Sequence, residues 1–393
     1  MVHYALATSS WDDRERAALQ AVIDSDQYSM GAQVAEYERR FAEHFGARHA
    51  VMVSSGSAAN LLMIAASFYT REPLLRRGDE VIVPAVSWST TYFPLQQYGL
   101  RVKFVDIDPH TLNIDLTKLA DAITDSTRAV LLVNLLGNPN DMAAVRSIIG
   151  DRDILLLEDN CESMGATFDG RAAGTFGAMG SFSSFFSHHI STMEGGCVVT
   201  DSTELYHVML SLRAHGWTRN LPVENEVTGR KSADPFEESF RFVLPGYNLR
   251  PLEMSGAVGQ VQLEKLPRFV EMRRRNAALF QELLGDHPHV EIQQEVGESS
   301  WFGFSLVLRE DAPVTRAELV RGLTEASIEV RPIVTGNFLK NETVLRFFDY
   351  EVGSTVEAAE YVDTHGLFVG NSQEDLTKEL HHLRDTIRAV TGA

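Results

Sequence analysis

Cysteine and lysine are both scarce in this sequence: two cysteines, Cys161 and Cys197, and six lysines stand among 393 residues. Two thiols with no CxxC spacing cannot ligate an iron–sulfur cluster that wants four, and a chain of this size has little need of a disulfide scaffold. Long apolar runs are missing too. No stretch reaches the roughly 18 apolar residues of a membrane-spanning helix. The opening MVHYALATSSWDDRER puts no apolar segment behind basic residues, so no signal peptide is expected. Positive charge is in deficit: 35 basic against 54 acidic residues leave a net charge of −19. Such a surface repels phosphate backbones, which argues against a general nucleic-acid binder but not against a nucleotide held in a local pocket. With 44% hydrophobic and 23% charged residues, collagen-like, disordered and low-complexity classes are excluded. The expectation is a soluble, cytoplasmic protein of roughly two or three domains' length.

Short apolar runs alternate with helix-period segments. Val51–Ser54, Glu80–Pro84, Val102–Asp106, Ala129–Asn134 and Ile154–Glu158 read as strands. Between them Ala58–Phe68, Thr90–Tyr98, Leu116–Ile123 and Asp141–Ile149 read as helices. That alternation predicts an α/β fold with a mostly parallel central sheet and helices on both faces. Two further strands are expected at Gly180–Phe186 and Gly196–Thr200. Val223–Glu238 is polar and reads as a loop. Pro251 opens a long helix to about Leu284, followed by shorter strands (Trp301–Leu308, Ile328–Pro332) and helices (Arg316–Glu325, Glu374–Val390). The reading is a large α/β domain with its N-terminal segment over 1–248 and a smaller C-terminal α+β domain over 249–393.

Ligands of α/β sheets sit beyond the carboxyl ends of the strands, which singles out several stretches. Ser54-Ser55-Gly56-Ser57 runs from strand to helix and suits a phosphate; an ordinary N-cap would look the same. Trp88, just past a strand end, can stack on a flat ring or fill a half-buried core position. In Glu158-Asp159-Asn160-Cys161-Glu162, Asp159 can pair with a protonated ring nitrogen or make a structural hydrogen bond. Ser183 to Gly196 holds hydroxyls and the adjacent imidazoles of His188 and His189. Neighbours on an extended segment point opposite ways, so one histidine is expected in the cleft, as an acid/base near neutral pH or as a satisfied structural residue. Arg213 to Asn220 and Gly246 to Arg250 gather cations and amides suited to carboxylates or phosphates, and Arg331 near a strand end can grip an acid or form a surface ion pair.

Together these stretches resemble the sugar aminotransferase family of pyridoxal-phosphate (PLP) enzymes, the DegT/DnrJ/EryC1/StrS type, almost end to end. The resemblance implies an aspartate-aminotransferase-like, fold-type-I architecture. One position departs from it. In aminotransferases a Phe-Phe run leads to Asn-Lys, and that lysine bonds to the cofactor. Here the slot reads Ser187-His188, and no lysine occurs between Lys118 and Lys231. The departure, with the loops at 83–92, 134–139 and 213–220, is similar to the 3-dehydrase branch of the family. A related class with histidine in this slot carries an iron–sulfur cluster, which two cysteines cannot build, so the cluster-free branch is the one resembled.

The resemblance implies that L-glutamate converts PLP to pyridoxamine phosphate. The C-3 hydroxyl of a GDP-linked 4-keto-6-deoxy sugar is then removed, giving a dideoxy sugar and ammonia, as in colitose and O-antigen lipopolysaccharide synthesis. His188 is the implied acid/base. Gly56, Ser57 and Ser183 would hold the phosphate, with Asn248 reaching across from a second subunit of a homodimer. Trp88 would stack on the ring, Asp159 would keep its nitrogen protonated, and Glu162 would lie near its edge. His215, Arg219 and Glu329 would face the substrate, Arg250 and Arg331 the glutamate carboxylates, and Asp26, Gln27, Tyr28 and Ser29 the nucleotide sugar. Two other readings stand beside this one: a nucleotide-sugar aminotransferase that works without the lysine, and a noncatalytic PLP or nucleotide-sugar sensor.

Overall fold

The computed structural model describes residues 2–393. Its central sheet has eight strands in the order 49–53, 196–200, 179–183, 155–159, 127–133, 80–84, 101–105, 350–352. Gly196–Thr200 runs antiparallel to both its neighbours, and every other pair is parallel. The Val-, Ile- and Leu-rich runs follow from burial on both faces. Val51, Val53, Val81, Val83 and Leu131 pack with the helices Gly56–Phe68 and Thr203–Arg213. The alternate residues Ile82, Val130 and Leu132 pack with Leu116–Ala122 and Met142–Ile149 on the other side. Farther along that side, Ala50, Met52 and Val199 pack with Ala32–Phe45 and the long helix Glu253–Leu284.

A second, antiparallel sheet of four short strands, in the order 290–291, 303–308, 366–370, 330–331, lies over its own core with the helices Arg316–Glu325 and Thr377–Thr391. The 32-residue helix Glu253–Leu284 serves both cores: Leu263, Leu266 and Phe269 face the first, Ala277, Phe280 and Leu284 the second. Among the described residues no helix is long and apolar enough to cross a membrane.

Several boundaries differ from the sequence expectation. The strand expected at Gly180–Phe186 is Met179–Ser183, because Ser184 onward folds into a loop closed by Ser184 N–H to Gly195 O (2.9 Å) and Thr192 N–H to Ser184 O (2.9 Å). The 223–238 stretch is not all loop. It holds a two-residue hairpin and the short helix Pro235–Ser239, which Asp234 caps and Pro235 begins. The strand expected at Ile328–Pro332 shortens to Val330–Arg331. Helices Asp13–Ser25, Ala32–Phe45 and Glu357–His365, and strands Tyr350–Val352 and Gly366–Gly370, were not anticipated. The first had a readable signal, the capping box of Asp12 with Glu15.

One backbone crossing joins the two sheets. Gly137, at φ +97°, lets Trp301 and Phe302 pass so close that a Cβ on Gly137 would lie 2.4 Å from Trp301 N. Ser300 N–H donates to Gly137 O (2.9 Å) and Phe302 N–H to Leu136 O (3.0 Å). We expect Gly137→Ala to cost about 1–3 kcal/mol or more of unfolding free energy, from strain in a left-handed conformation plus the clash. An unchanged denaturant midpoint would show that the crossing yields without cost.

Candidate active site

The parallel strands end on one side of the sheet, and their following turns surround a cavity of about 840 Å³. Gly56, Ser57, Trp88, Asp159, Glu162, Ser183, His188, Glu329 and Arg331 all line it. At one end lies the start of helix Gly56–Phe68, which Ser55 caps by accepting from Ala58 N–H (3.1 Å). A Cβ on Gly56 would lie 2.6 Å from Ser183 Cβ, so only glycine lets this helix terminus sit against that strand. Ser57 and Thr90 hydroxyls meet at 2.9 Å on the same rim. Trp88 is 55% exposed rather than a core residue, and its indole borders the cavity.

Asp159 ends its strand buried. Its Oδ2 accepts from Asn60 Nδ2 (2.8 Å) and Thr91 Oγ1 (2.7 Å), and its Oδ1 from Cys161 N–H (3.1 Å). These donors hold the carboxylate in one orientation at the cavity wall. Glu158 faces the opposite way and is structural, accepting from the backbone N–H groups of Gly174, Phe176 and Gly177. Glu162 accepts from Leu136 N–H (3.0 Å). Burial first, then the neighbouring Asp159, pushes its carboxyl up to about 7.

His188 reaches the cavity and His189 does not line it. The reason is not strand alternation, since both residues sit in a bend after the strand has ended. His189 is buried with Nε2 at 3.1 Å from Ser300 O. The His188 ring lies edge-on to Phe302 (centroids 5.0 Å) and Phe185 (5.9 Å), and its buried Nδ1 has no hydrogen-bond partner. Burial first, and the Arg273 guanidinium second, lower its pKa to about 4. The imidazole is therefore uncharged at neutral pH and able to accept a proton.

The other expected site residues do not line this cavity. His215 (4.8 Å between rings) and the guanidinia of Arg219 (4.6 Å) and Arg250 (6.0 Å) gather around Trp217. Asn248 accepts from Arg250 Nε (2.9 Å). Asp26, Gln27, Tyr28 and Ser29 form a turn tied to the start of the long helix through Glu253 N–H to Tyr28 O (3.0 Å). This group adjoins the strand before the cradle, where Ser54 N–H donates to Leu249 O (3.0 Å). Ser187 of the Ser187-His188 slot lines the cavity, and so do Glu194, Thr90 and Phe302, which the sequence does not single out individually. Glu194 and Ser187 lay inside stretches already marked; nothing local flags Phe302, which arrives from the second sheet. Among the described residues no three His, Cys, Asp or Glu side chains are arranged to hold a metal ion.

An eight-stranded, mostly parallel sheet with a helix start and a buried carboxylate at the cavity wall, and a small C-terminal sheet beside the cavity, is the fold-type-I architecture of PLP enzymes. The chain belongs to the DegT/DnrJ/EryC1/StrS aminotransferase family, which it matches over residues 9–379. It is 65% identical over 388 residues to the GDP-4-keto-6-deoxy-D-mannose 3-dehydratase of Yersinia pseudotuberculosis, covering 99% of both chains. To the protein of that name from Escherichia coli O55:H7 it is 64% identical, covering 99% of this chain and 100% of the other. A crystal structure of GDP-4-keto-6-deoxymannose-3-dehydratase with a trapped PLP-glutamate geminal diamine superposes with a TM-score of 0.97 at 64% identity, over 98% of this chain and 100% of that one.

The raised Glu162 carboxyl has a consequence for stability. Between its ordinary 4.5 and about 7 the folded protein keeps a proton that the unfolded chain has released, so stability falls as pH rises through that window. Glu162→Gln removes this slope. Urea unfolding across the window should show the variant gaining on the wild type as pH rises; a gap that does not change with pH would contradict the assignment.

Proposed function

We propose that this chain is a PLP- and pyridoxamine-phosphate-dependent nucleotide-sugar 3-dehydratase. In this reading it takes L-glutamate as amino donor and removes the C-3 hydroxyl of GDP-4-keto-6-deoxy-D-mannose, releasing ammonia. The observation that carries the reading is His188 in the cavity, in the slot where aminotransferases of the family keep lysine, with no lysine among the residues that line the cavity. The two full-length relatives at 64–65% identity bear that enzyme's name, which supports the same substrate class here.

The residues suit the cofactor. The Gly56 approach leaves room at a helix N-terminus flanked by Ser57 and Ser183 hydroxyls, as a phosphate requires. Asp159, held by Asn60 and Thr91, offers a carboxylate to a ring nitrogen. Trp88 presents an indole face and Glu162 lies beside Asp159. Bound there, the cofactor supplies an electron sink for proton removal and hydroxyl loss. Nothing tethers it, so these contacts alone hold it. His188, uncharged at neutral pH, would take a proton from the cofactor's C4′ carbon and give it to the departing C-3 hydroxyl. It cannot do the work of a lysine amine in closing a transamination cycle, which favours elimination. Glu329 and Arg331 border the same cavity, where they would meet the sugar and the donor carboxylates respectively.

His215, Arg219, Asn248, Arg250 and the 26–29 turn lie off this cavity, and the loops around them leave Phe236, Phe240, Phe242 and Leu252 exposed. A homodimer in which this face completes the partner's site accounts for both facts, with Asn248 reaching the partner's phosphate. A division at 248/249 would separate a cofactor-holding unit from a smaller one in a soluble cytoplasmic enzyme, although helix Glu253–Leu284 serves both cores, Tyr350–Val352 joins the larger unit's sheet and Tyr4 packs in the smaller unit's core.

Two measurements test this. Purified protein with PLP, glutamate and the GDP-4-keto sugar should give ammonia and a deoxygenated product by mass. His188→Asn should abolish turnover. An amino sugar retaining nitrogen would make the protein an aminotransferase, and no turnover with intact cofactor binding would make it a sensor. Mixing inactive His188→Asn with inactive Asn248→Ala protein should restore partial activity through hybrid dimers carrying one intact site. No recovery would place Asn248 in its own chain's site.

A further inference from the structure

Behind His188 lies a charge without a counter-ion. Arg213 and Arg273 are the arginines buried among the described residues. Arg213 pairs with Glu38. Arg273, 2% exposed in the long helix, meets no carboxylate: its Nη1 donates to the main-chain carbonyls of Trp301 (3.3 Å), Phe302 (3.1 Å) and Asn371 (3.0 Å). Asn371 returns the contact by donating to Trp301 O (2.9 Å) and Arg273 O (3.1 Å). The clamped segment is strained, with Trp301 at φ +48°. It carries both neighbours of the histidine pair: the Phe302 ring against His188 and the Ser300 carbonyl at His189 Nε2. His188 Nδ1, His189 Nδ1, Arg273 Nε and Ser300 Oγ are all buried there without a partner. A buried, unpaired cation is costly, and hydrophobic residues of similar volume often replace such groups without loss of stability.

We infer that Arg273 is a positioning residue for the acid/base. Its guanidinium clamps the 300–302 segment that walls His188 and sets a buried positive charge without a counter-ion behind that wall. Burial first, and the Arg273 guanidinium second, lower the His188 pKa, and burial lowers that of Arg273 to about 10. The other charged or titratable groups around His188 are His189, next on its own loop, and those that line the cavity with it: Asp159 and Glu162 after the strand end, Glu194 from the returning loop, and Glu329 and Arg331 from the second sheet.

The inference takes the role of His188 from the proposed function, and the test separates the two. Imidazole nitrogens of the full chain are titrated by nuclear magnetic resonance, with His188 assigned by its loss in His188→Asn. His188 should protonate near pH 4 in the wild type. Arg273→Lys, which keeps the charge, should stay close to that value, and Arg273→Met should raise it while leaving the part due to burial in place. A wild-type His188 titrating near its ordinary 6.5 overturns the inference even if Arg273→Met does not fold. So does an unmoved titration in a folded Arg273→Met protein. In the holoenzyme, the acid limb of the glutamate-driven absorbance change should shift in parallel. A shifted titration with no absorbance change in any variant would sink the proposed function and leave the inference standing.

Discussion

The crossing of residues 136–137 under residues 300–302 is the constraint on which the rest depends. Leu136 (φ +53°), Gly137 (φ +97°) and Trp301 (φ +48°) all adopt left-handed conformations so that two chain segments can exchange Ser300 N–H to Gly137 O and Phe302 N–H to Leu136 O. Strain of this kind persists only where the surroundings over-determine it. Here Arg273 and Asn371 supply that determination from one side and the sheet turn from the other. The crossing brings Phe302 over the carboxyl ends of the large sheet and thereby closes the wall against which His188 packs.

From that wall the electrostatics of the site follow. Two groups in one cavity are driven away from their ordinary behaviour in opposite senses. Burial disfavours the charged form of each, so the Glu162 acid is pushed up toward neutrality while the His188 base is pushed down. Near pH 7 the cavity therefore holds an uncharged base beside a carboxyl that can still carry a proton, with the Asp159 carboxylate fixed by Asn60, Thr91 and Cys161 between strand and helix. Such a pairing of oppositely displaced groups is the usual mark of acid–base chemistry. It suits a site in which a histidine that can move protons stands where the fold otherwise keeps a lysine amine.

The two clusters of functional side chains differ in completeness. The cavity cluster is assembled within one chain by strand ends that share a direction. The Trp217 cluster has cations and amides, lies off that cavity and sits among exposed aromatic residues. Arg219 and Arg250 are held over the indole face in a way that spreads two guanidinia without an internal carboxylate between them. A site divided between copies uses the surface of one chain as the missing wall of another.

Much of this was legible in the order of residues. Alternating apolar runs announced the parallel sheet, the strand-to-helix turn at Ser54–Ser57 marked one end of the cavity, and Ser187-His188 marked the departure from the Asn-Lys of the resembling aminotransferases. Each of these is local: a period, a cap or a single side-chain substitution carries the information within a few residues. What only the tertiary structure decided is non-local. Which histidine enters the cavity was set by a bend and by Ser300, not by alternation along a strand. Phe302 and Arg273 acquire their meaning by packing against residues about a hundred positions away, and Tyr350–Val352 becomes the edge of a sheet begun three hundred residues earlier. No local pattern specifies such contacts, because they are selected by the simultaneous closing of two cores on one long helix.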